Sequence, residues 1–539
     1  MGETLTTEGK LGQRMLVAFA AKDHLPEDVL NGLRAYRPAG VTLFRHLNVD
    51  HPAQVRQLTA ALQAAARQAK LPPLLIAADQ EGGQLMAIGE GATCLPGNMA
   101  LGAVGSPELA RRAGEVLGRE LSAMGINVDY APCADVNVNP QNPVVGIRSF
   151  GEDPESVAEL TAALVSGIQS AGVAATAKHF PGHGDTSSDS HRALPIIPHA
   201  AERLRRVELP PFRAAIAAGV RLVMTAHVAL PALTARDDLP ATLSPAILKG
   251  LLRAEMGFDG VIVTDAMDMQ AILQGAALGE QALTALSAGA DLLLLASDPD
   301  DQRRVHASLA RALRQGAIDQ TELDAAVGRV LALKDWLSAA PVQPDLDVVG
   351  CAAHRQVAID IASRAMTLVR DQAHRLPIKL RSDQRAAVVL PQPIDLTPAD
   401  TSSTVDISLS SALRAYLPHV EEFMLPANPT EGDIAAILQR LPGFDCVIVG
   451  TLAACQQDGQ AALVRAVLRA GHPTVVIGLR LPYDLAAFPE APTYACTYGI
   501  LPPSMDALAR ALTGQASFPG RLPVSIPGLY PVGHREPAA

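Results

Sequence analysis

Short apolar, β-rich runs alternate with longer stretches of helical period through the first part of the chain. The apolar runs fall at residues 15–20, 41–44, 74–78, 128–131, 173–177, 222–225, 261–264 and 292–295. Amphipathic stretches, among them 52–69, 107–124, 156–170 and 201–218, lie between them. A run that is apolar at every position fits a strand buried on both faces, and parallel strands need crossover helices to connect them. Eight such units over about 320 residues predict a closed (β/α)8 TIM-like barrel, with an open doubly wound sheet as the structural alternative.

Residues 338–352 carry Pro341 and Pro344 after a long helical pattern and read as a linker. Beyond them the alternation resumes, with strands predicted at 386–390, 446–449, 474–478 and 494–497 and helices at 408–416, 431–440, 460–470 and 505–512. Several parallel strands with helices on both faces make a three-layer α/β sandwich. The chain therefore divides into a catalytic barrel (1–337), a linker (338–352) and a sandwich domain (353–539). The second domain has no G-x-x-x-x-G-K-[ST] and no G-x-G-x-x-G, so its expected role is a scaffold packed on the barrel.

Polar residues sit where the barrel strands end. Asp79 closes the third run, Asp135 follows the fourth, Lys178 and His179 end the fifth, His227 the sixth and Asp265 the seventh. Any one of them could be a helix cap. Their recurrence at the carboxyl ends of successive strands points instead to one shared cleft. The densest stretch is KHFPGHGDTSSDSH, residues 178–191. Asp265 ends an almost wholly apolar strand, which suits a rigidly held nucleophile. Asp189 and His191 are two apart, so the carboxylate can bond one imidazole nitrogen and raise the basicity of a ring that titrates near neutral pH. Such a pair can act as a general acid/base. His227 is expected to line the pocket.

Composition narrows the ligand class. The chain has 539 residues, 48% of them apolar, and a net charge of −11 without a basic cluster, which argues against nucleic acid. Aromatic residues are 3% of the chain, with a single tryptophan, so a sugar site would be a small polar pocket rather than an aromatic platform. The six cysteines lack C-x-x-C spacing and read as reduced thiols. No apolar run reaches the ~18 residues of a membrane helix, and the first fifteen residues have no signal-peptide core. The expectation is a cytoplasmic protein, monomeric or a weak homo-oligomer, with neither nucleic-acid nor membrane partner.

DQEGG (79–83), APCADVNVNPQNPVVGIRSFGEDP (131–154), KHFPGHGDTSSDSH (178–191) and VIVTDAMDM (261–269) together resemble glycoside hydrolase family 3, in its β-N-acetylglucosaminidase branch. The likeness runs on through PYDLAAFP, PPSMDALARALTG and GRLPVSIPGLYPVGH in the second half. It implies Asp265 as the nucleophile, His191 as the acid/base with Asp189 as its dyad partner, and Asp79, Arg148, Lys178 and His179 as contacts to the sugar hydroxyls. It further implies double displacement with retention, no cofactor, and short muropeptide or chitin-type substrates. One departure stands out: family members often carry an arginine just after DQEGG, and here Gln84, Leu85, Met86 and Ala87 follow.

Other activities remain open at this level. Within the family they are a β-N-acetylglucosaminide phosphorylase, favoured by a neutral base that repels anions less than a carboxylate would, and a β-glucosidase. The SDW motif of the β-glucosidase branch is absent. Outside it they are a non-catalytic sugar-binding protein and a metal-dependent hydrolase using His179, His183, Asp185, Asp189 and His191.

Overall fold

The computed structural model describes residues 5–190, 193–273 and 277–537. Eight parallel strands close a barrel: β1 (Met15–Ala18), β2 (Gly40–Leu43), β3 (Leu75–Ala78), β4 (Val128–Asp129), β5 (Ala174–Phe180), β6 (Leu222–Thr225), β7 (Val261–Ala266) and β8 (Leu292–Leu295). Each pairs with its sequence neighbour, and β1 closes the ring by pairing Met15 with Leu293 and Leu16 with Gly40. The interior is filled by Leu16, Leu75, Ala77, Val128, Val261 and Leu292, which is why these strands read as unbroken apolar runs. At the amino-terminal end the buried Asp291 carboxylate accepts from Arg253 and Arg329.

The helices end where their sequence requires. Pro52–Gln68, Pro107–Ala123 and Pro154–Ser170 each open on proline at the first turn, behind caps from His51, Ser106 and Asp153. The continuous helix expected over 201–218 is instead two, Ala201–Val207 and Pro210–Ala217. Pro210 and Pro211 cannot donate into a continuing helix and start a new one. Strand β5 is longer than its apolar run. It continues through Lys178 and His179, which are buried and paired, so polar side chains hid three strand positions.

The second domain is a six-stranded sheet. Its strands are β9 (Thr367–Asp371), β10 (Ala386–Pro391), β11 (Val420–Leu425), β12 (Cys446–Thr451), β13 (Thr474–Gly478) and β14 (Thr493–Cys496), in the order β9-β14-β13-β12-β10-β11. All pairs are parallel except β9 with β14. Alternate residues of one strand serve opposite layers. Val447 and Val449 pack with Ile434, Ile437 and Val464, whereas Ile448 packs with Leu409, Met505 and Leu508. That is the three-layer sandwich expected from the sequence. The two strands the sequence pattern missed are both at edges. Strand β11, VEEFML, is mostly not buried, and short β9 runs against the rest.

The linker lies along the barrel and is fastened to it. Arg56 donates to the Pro344 carbonyl and Gln343 to that of Ala123. Buried Glu120 accepts from the Gly350 amide, Thr93 and His354. Among the described residues no helix is long and apolar enough to cross a membrane.

Lys334 makes stability depend on pH. It is buried between the last barrel helix and the turn before β1, with its ammonium donating to Gln13 Oε1 at 2.8 Å. Burial pushes its pKa down from 10.5 to about 7. Between those values the unfolded chain binds more protons than the folded one, so this lysine's penalty on folding is full below about pH 7 and fades toward pH 10.5. In guanidinium unfolding, the advantage of Lys334→Met over wild type should be largest near pH 6.5. It should shrink by up to ~1.4 kcal/mol per pH unit above that. A gap independent of pH would contradict this assignment.

Candidate active site

The carboxyl ends of the barrel strands open into a cleft of about 1090 Å³, lined in part by Asp79, Arg148, Lys178, His179 and Asp265. The sequence places them on different units. Asp79 follows β3, Arg148 comes from the long loop after β4, Lys178 and His179 lie in β5, and Asp265 is in β7.

Glu81 holds the floor together. Its carboxylate accepts two bonds from Arg148, Nη2 at 2.7 Å and Nε at 3.0 Å, and pairs with the Lys178 ammonium at 2.7 Å. Lys178 also reaches Asp79 at 2.5 Å. Burial alone would raise the Glu81 pKa, but Arg148 and Lys178 outweigh it and hold the group at about 2. Burial would lower Lys178, but Asp79 and Glu81 keep it firmly charged. Next to them Asp129 is wholly buried. It accepts from the Gln80 amide, and its Oδ2 has no partner among the described residues. Burial raises its pKa well above the usual carboxylate range. The charges then balance, Asp79 and Glu81 against Lys178 and Arg148, as a buried ionic cluster requires. Asp79 is the least buried member, with a side chain 24% exposed, and presents the cluster to the cleft.

A second pair orients His179. Asp135, fully buried, accepts from His179 Nδ1 at 2.7 Å and from the backbone amides of His179 and His183 at 3.2 and 2.7 Å. With Nδ1–H bound to the carboxylate, Nε2 is left on the side of Arg148, whose Nη2 lies 3.4 Å away. The glycines of KHFPGHG let this loop turn inward: Gly182 has φ +130°, and a side chain at Gly184 would collide with the Val136 carbonyl.

The loop of Asp189 is pinned from below. Ser190 Oγ bonds His183 Nε2 at 3.0 Å, and Thr186 Oγ1 bonds the other ring nitrogen at 2.9 Å. Burial lowers His183 to about 4, so it is neutral at working pH. Ser190 lines the cleft and Asp189 is partly exposed. The acid/base expected at His191 lies outside the described residues. Asp265 is partly exposed at the cleft wall and takes the Ala266 amide on Oδ1 at 2.8 Å. Burial, then the nearby Asp265 charge, raises the Asp268 pKa.

His227 is placed deeper than the pocket lining. It is buried, with Nδ1 on Thr242 Oγ1 at 2.8 Å and Nε2 donating to the Ala266 carbonyl at 3.0 Å, under the segment that carries Asp265. Arg148 also differs from expectation, since most of its fork is directed to Glu81 rather than outward.

Among the described residues, the side chains gathered as a metal would need them are already engaged. Cys133, Asp135 and His179 come within 4.8 Å of one another, but Asp135 is occupied by N–H donors and burial keeps the Cys133 thiol protonated. Asp185, one of the possible ligands, is held instead by His199 and Arg203.

Sequence reasoning missed Glu81 although it stands in DQEGG, because a buried carboxylate between two cations has no local signature. It missed Arg45 for a similar reason. Arg45 lines the cleft, donates to the Met86 carbonyl and packs on Gly89.

A closed parallel barrel with carboxylates, a lysine and histidines gathered at its carboxyl end is the build of a barrel enzyme acting on a small polar substrate. Residues 6–333 match the model of the glycosyl hydrolase family 3 N terminal domain. The chain is 32% identical to beta-hexosaminidase A of Pseudoalteromonas piscicida over 97% of both chains. It is also 32% identical to the beta-N-acetylglucosaminidase/beta-glucosidase of Cellulomonas fimi, over 97% of this chain and 94% of that one. The solved glycoside hydrolase family 3 beta-N-acetylglucosaminidase of Paenibacillus sp. str. FPU-7 superposes with a TM-score of 0.92 at 39% identity, covering 97% of this chain and 99% of that one. This chain belongs to glycoside hydrolase family 3 and is a glycoside hydrolase.

Removing Glu81 strands two buried cations. Glu81→Ala should lower unfolding free energy in urea by about 3–5 kcal/mol at pH 7. A loss under about 1 kcal/mol would mean that Asp79 alone neutralises the cluster.

Proposed function

We propose that this enzyme is a retaining exo-β-N-acetylglucosaminidase that removes terminal N-acetylglucosamine from short saccharides, of muropeptide or chitin type. The observation that carries the reading is the convergence of the Asp79–Lys178–Glu81–Arg148 cluster, His179 and Asp265 on one cleft. N-acetylglucosamine is in the names of the Cellulomonas fimi relative, which also names glucose, and of the Paenibacillus structure, while the Pseudoalteromonas relative is named as a hexosaminidase.

In this mechanism Asp79 and His179 hold the sugar hydroxyls, while Lys178 and Arg148 fix Asp79 and Glu81 behind them. The Asp265 carboxylate attacks the anomeric carbon and the bond to the leaving oxygen breaks. Protonated His191 gives its proton to that oxygen. Neutral His191, steadied by Asp189, then takes a proton from water as the water displaces Asp265. Two displacements retain configuration. The enzyme needs no cofactor, and it acts in the cytoplasm as a monomer or weak homo-oligomer.

Nitrophenol release from the β-N-acetylglucosaminide should exceed that from the β-glucoside and persist with chelator. Asp265→Ala should reduce it on the order of 10³-fold or more. A preference for the glucoside would refute the assigned sugar, and an active Asp265→Ala variant would refute the nucleophile. Formation of a sugar 1-phosphate on adding phosphate would mark phosphorolysis in place of hydrolysis.

A further inference from the structure

The loop after β5 that carries Asp189 and Ser190 leaves through Asp185 and returns through His199, and these two ends are fastened together. His199 Nε2 donates to Asp185 Oδ2 at 2.6 Å. Arg203, in the first turn of the helix Ala201–Val207, donates to the same oxygen from Nη2 at 3.1 Å. Its Nη1 bonds both carboxylate oxygens of Glu208, at 2.6 and 2.8 Å. Glu208 is 1% exposed and stands in the break between the helices Ala201–Val207 and Pro210–Ala217. A side chain added at Gly182 would strike the Glu208 Cβ, so Glu208 packs directly against the turn that follows His179. Burial raises the Glu208 pKa, and Arg203 opposes that rise.

The rest of the loop is held from other sides. Asn142 donates to the His183 carbonyl at 2.8 Å, and Asn139 donates to the Thr186 carbonyl at 3.2 Å. Beyond Thr186, the Ser190 carbonyl accepts the Ala271 amide at 3.3 Å, which joins the loop to the segment that follows Asp265. On the return, the Ile197 amide donates to the Ala229 carbonyl at 2.9 Å. Arg203 thus ties the entry of the loop to a buried carboxylate of the barrel, and His199 ties the exit to the entry. Asp185, His199, Arg203 and Glu208 are not among the residues that line the cleft, so whatever they do for the reaction they do through the loop.

We propose that Arg203 is a positioning residue for the acid/base: the Glu208–Arg203–Asp185–His199 clasp closes the neck of the loop and sets where Asp189 stands, so that the Asp189–His191 dyad reaches the leaving oxygen. A guanidinium suits this task, because one nitrogen engaged by Glu208 fixes the plane of the fork and aims the other at Asp185. The task matters because a group that transfers a proton must stay within hydrogen-bond reach of its oxygen, and a displacement of about 1 Å can cost rate on the order of 10²-fold. The assignment rests on the acid/base reading proposed above.

The test is steady-state kinetics of the full chain on chitobiose, whose leaving sugar must be protonated, and on the dinitrophenyl β-N-acetylglucosaminide, whose leaving group departs without a proton. In Arg203→Met, kcat/KM for chitobiose should fall about tenfold or more, while kcat/KM for the dinitrophenyl substrate stays within about twofold of wild type. Arg203→Lys, which can face one carboxylate but not both at once, should fall between. Azide needs no base to attack, so it should speed turnover of the dinitrophenyl substrate in Arg203→Met and yield the glycosyl azide, its bond to the anomeric carbon forming as the bond to Asp265 breaks. Asp185→Asn leaves the Arg203–Glu208 pair whole, should show the same split between substrates, and decides the matter if Arg203→Met does not fold. His191→Ala, measured alongside, should split the two substrates more widely than either. Equal losses on both substrates in the clasp variants, with the split present in His191→Ala, would overturn the clasp and leave the acid/base reading intact. No split in His191→Ala would overturn that reading and this one with it.

Discussion

The buried Glu81 carboxylate, held between Arg148 and Lys178, is the interaction on which the site depends. Two cations and a carboxylate with almost no solvent contact are tolerable only when each charge is matched. Matching them joins the end of β3, the loop after β4 and the end of β5 into one rigid floor. Asp129 is buried beside them, and burial raises its pKa above the usual carboxylate range. The same cluster explains why the chain can bury Lys178 inside a strand.

Around that floor the enzyme uses support from behind. Asp135 fixes the ring of His179, His183 fixes Ser190 in the loop between Asp189 and His191, and His227 braces the carbonyl next to Asp265. Asp135 and His227 stand behind the cleft lining and His183 within it, and each limits how far a neighbour can drift. Catalysis through positioned charge needs this restraint, since reorganisation at the moment of reaction would have to be supplied from the barrier itself.

The second domain has a place in the same design. Arg480 and Asp400 are buried and paired at 3.0 Å, and Arg480 also bonds Gln84, in the turn of the hairpin of Gln80–Gly82 with Leu85–Met86 that follows Asp79. Gln84, the first of the four residues that follow DQEGG without an arginine, faces this interdomain contact.

Much of this was legible in the chain itself. Eight apolar runs separated by amphipathic stretches determined a parallel sheet with crossover helices and favoured the barrel over an open doubly wound sheet, and the pairing of β1 with β8 closed it. The strand-end positions of Asp79, Lys178, His179 and Asp265 determined that the chemistry would share one face. What periodicity could not carry was anything that depends on a partner far along the chain. Glu81 becomes central only when Arg148 and Lys178, 67 and 97 positions away in sequence, close on it. His227 has the same sequence setting as a pocket residue and becomes a brace only through Thr242 and Ala266. Edge strand β11 carries no apolar run because it is mostly not buried, and short β9, TLVRD, mixes apolar residues with Thr367, Arg370 and Asp371 although it is largely covered. Local pattern reports which residues must be buried; which charges meet there, and what stands on the open side of the cleft, is decided by tertiary packing, since electrostatic pairing has no sequence period.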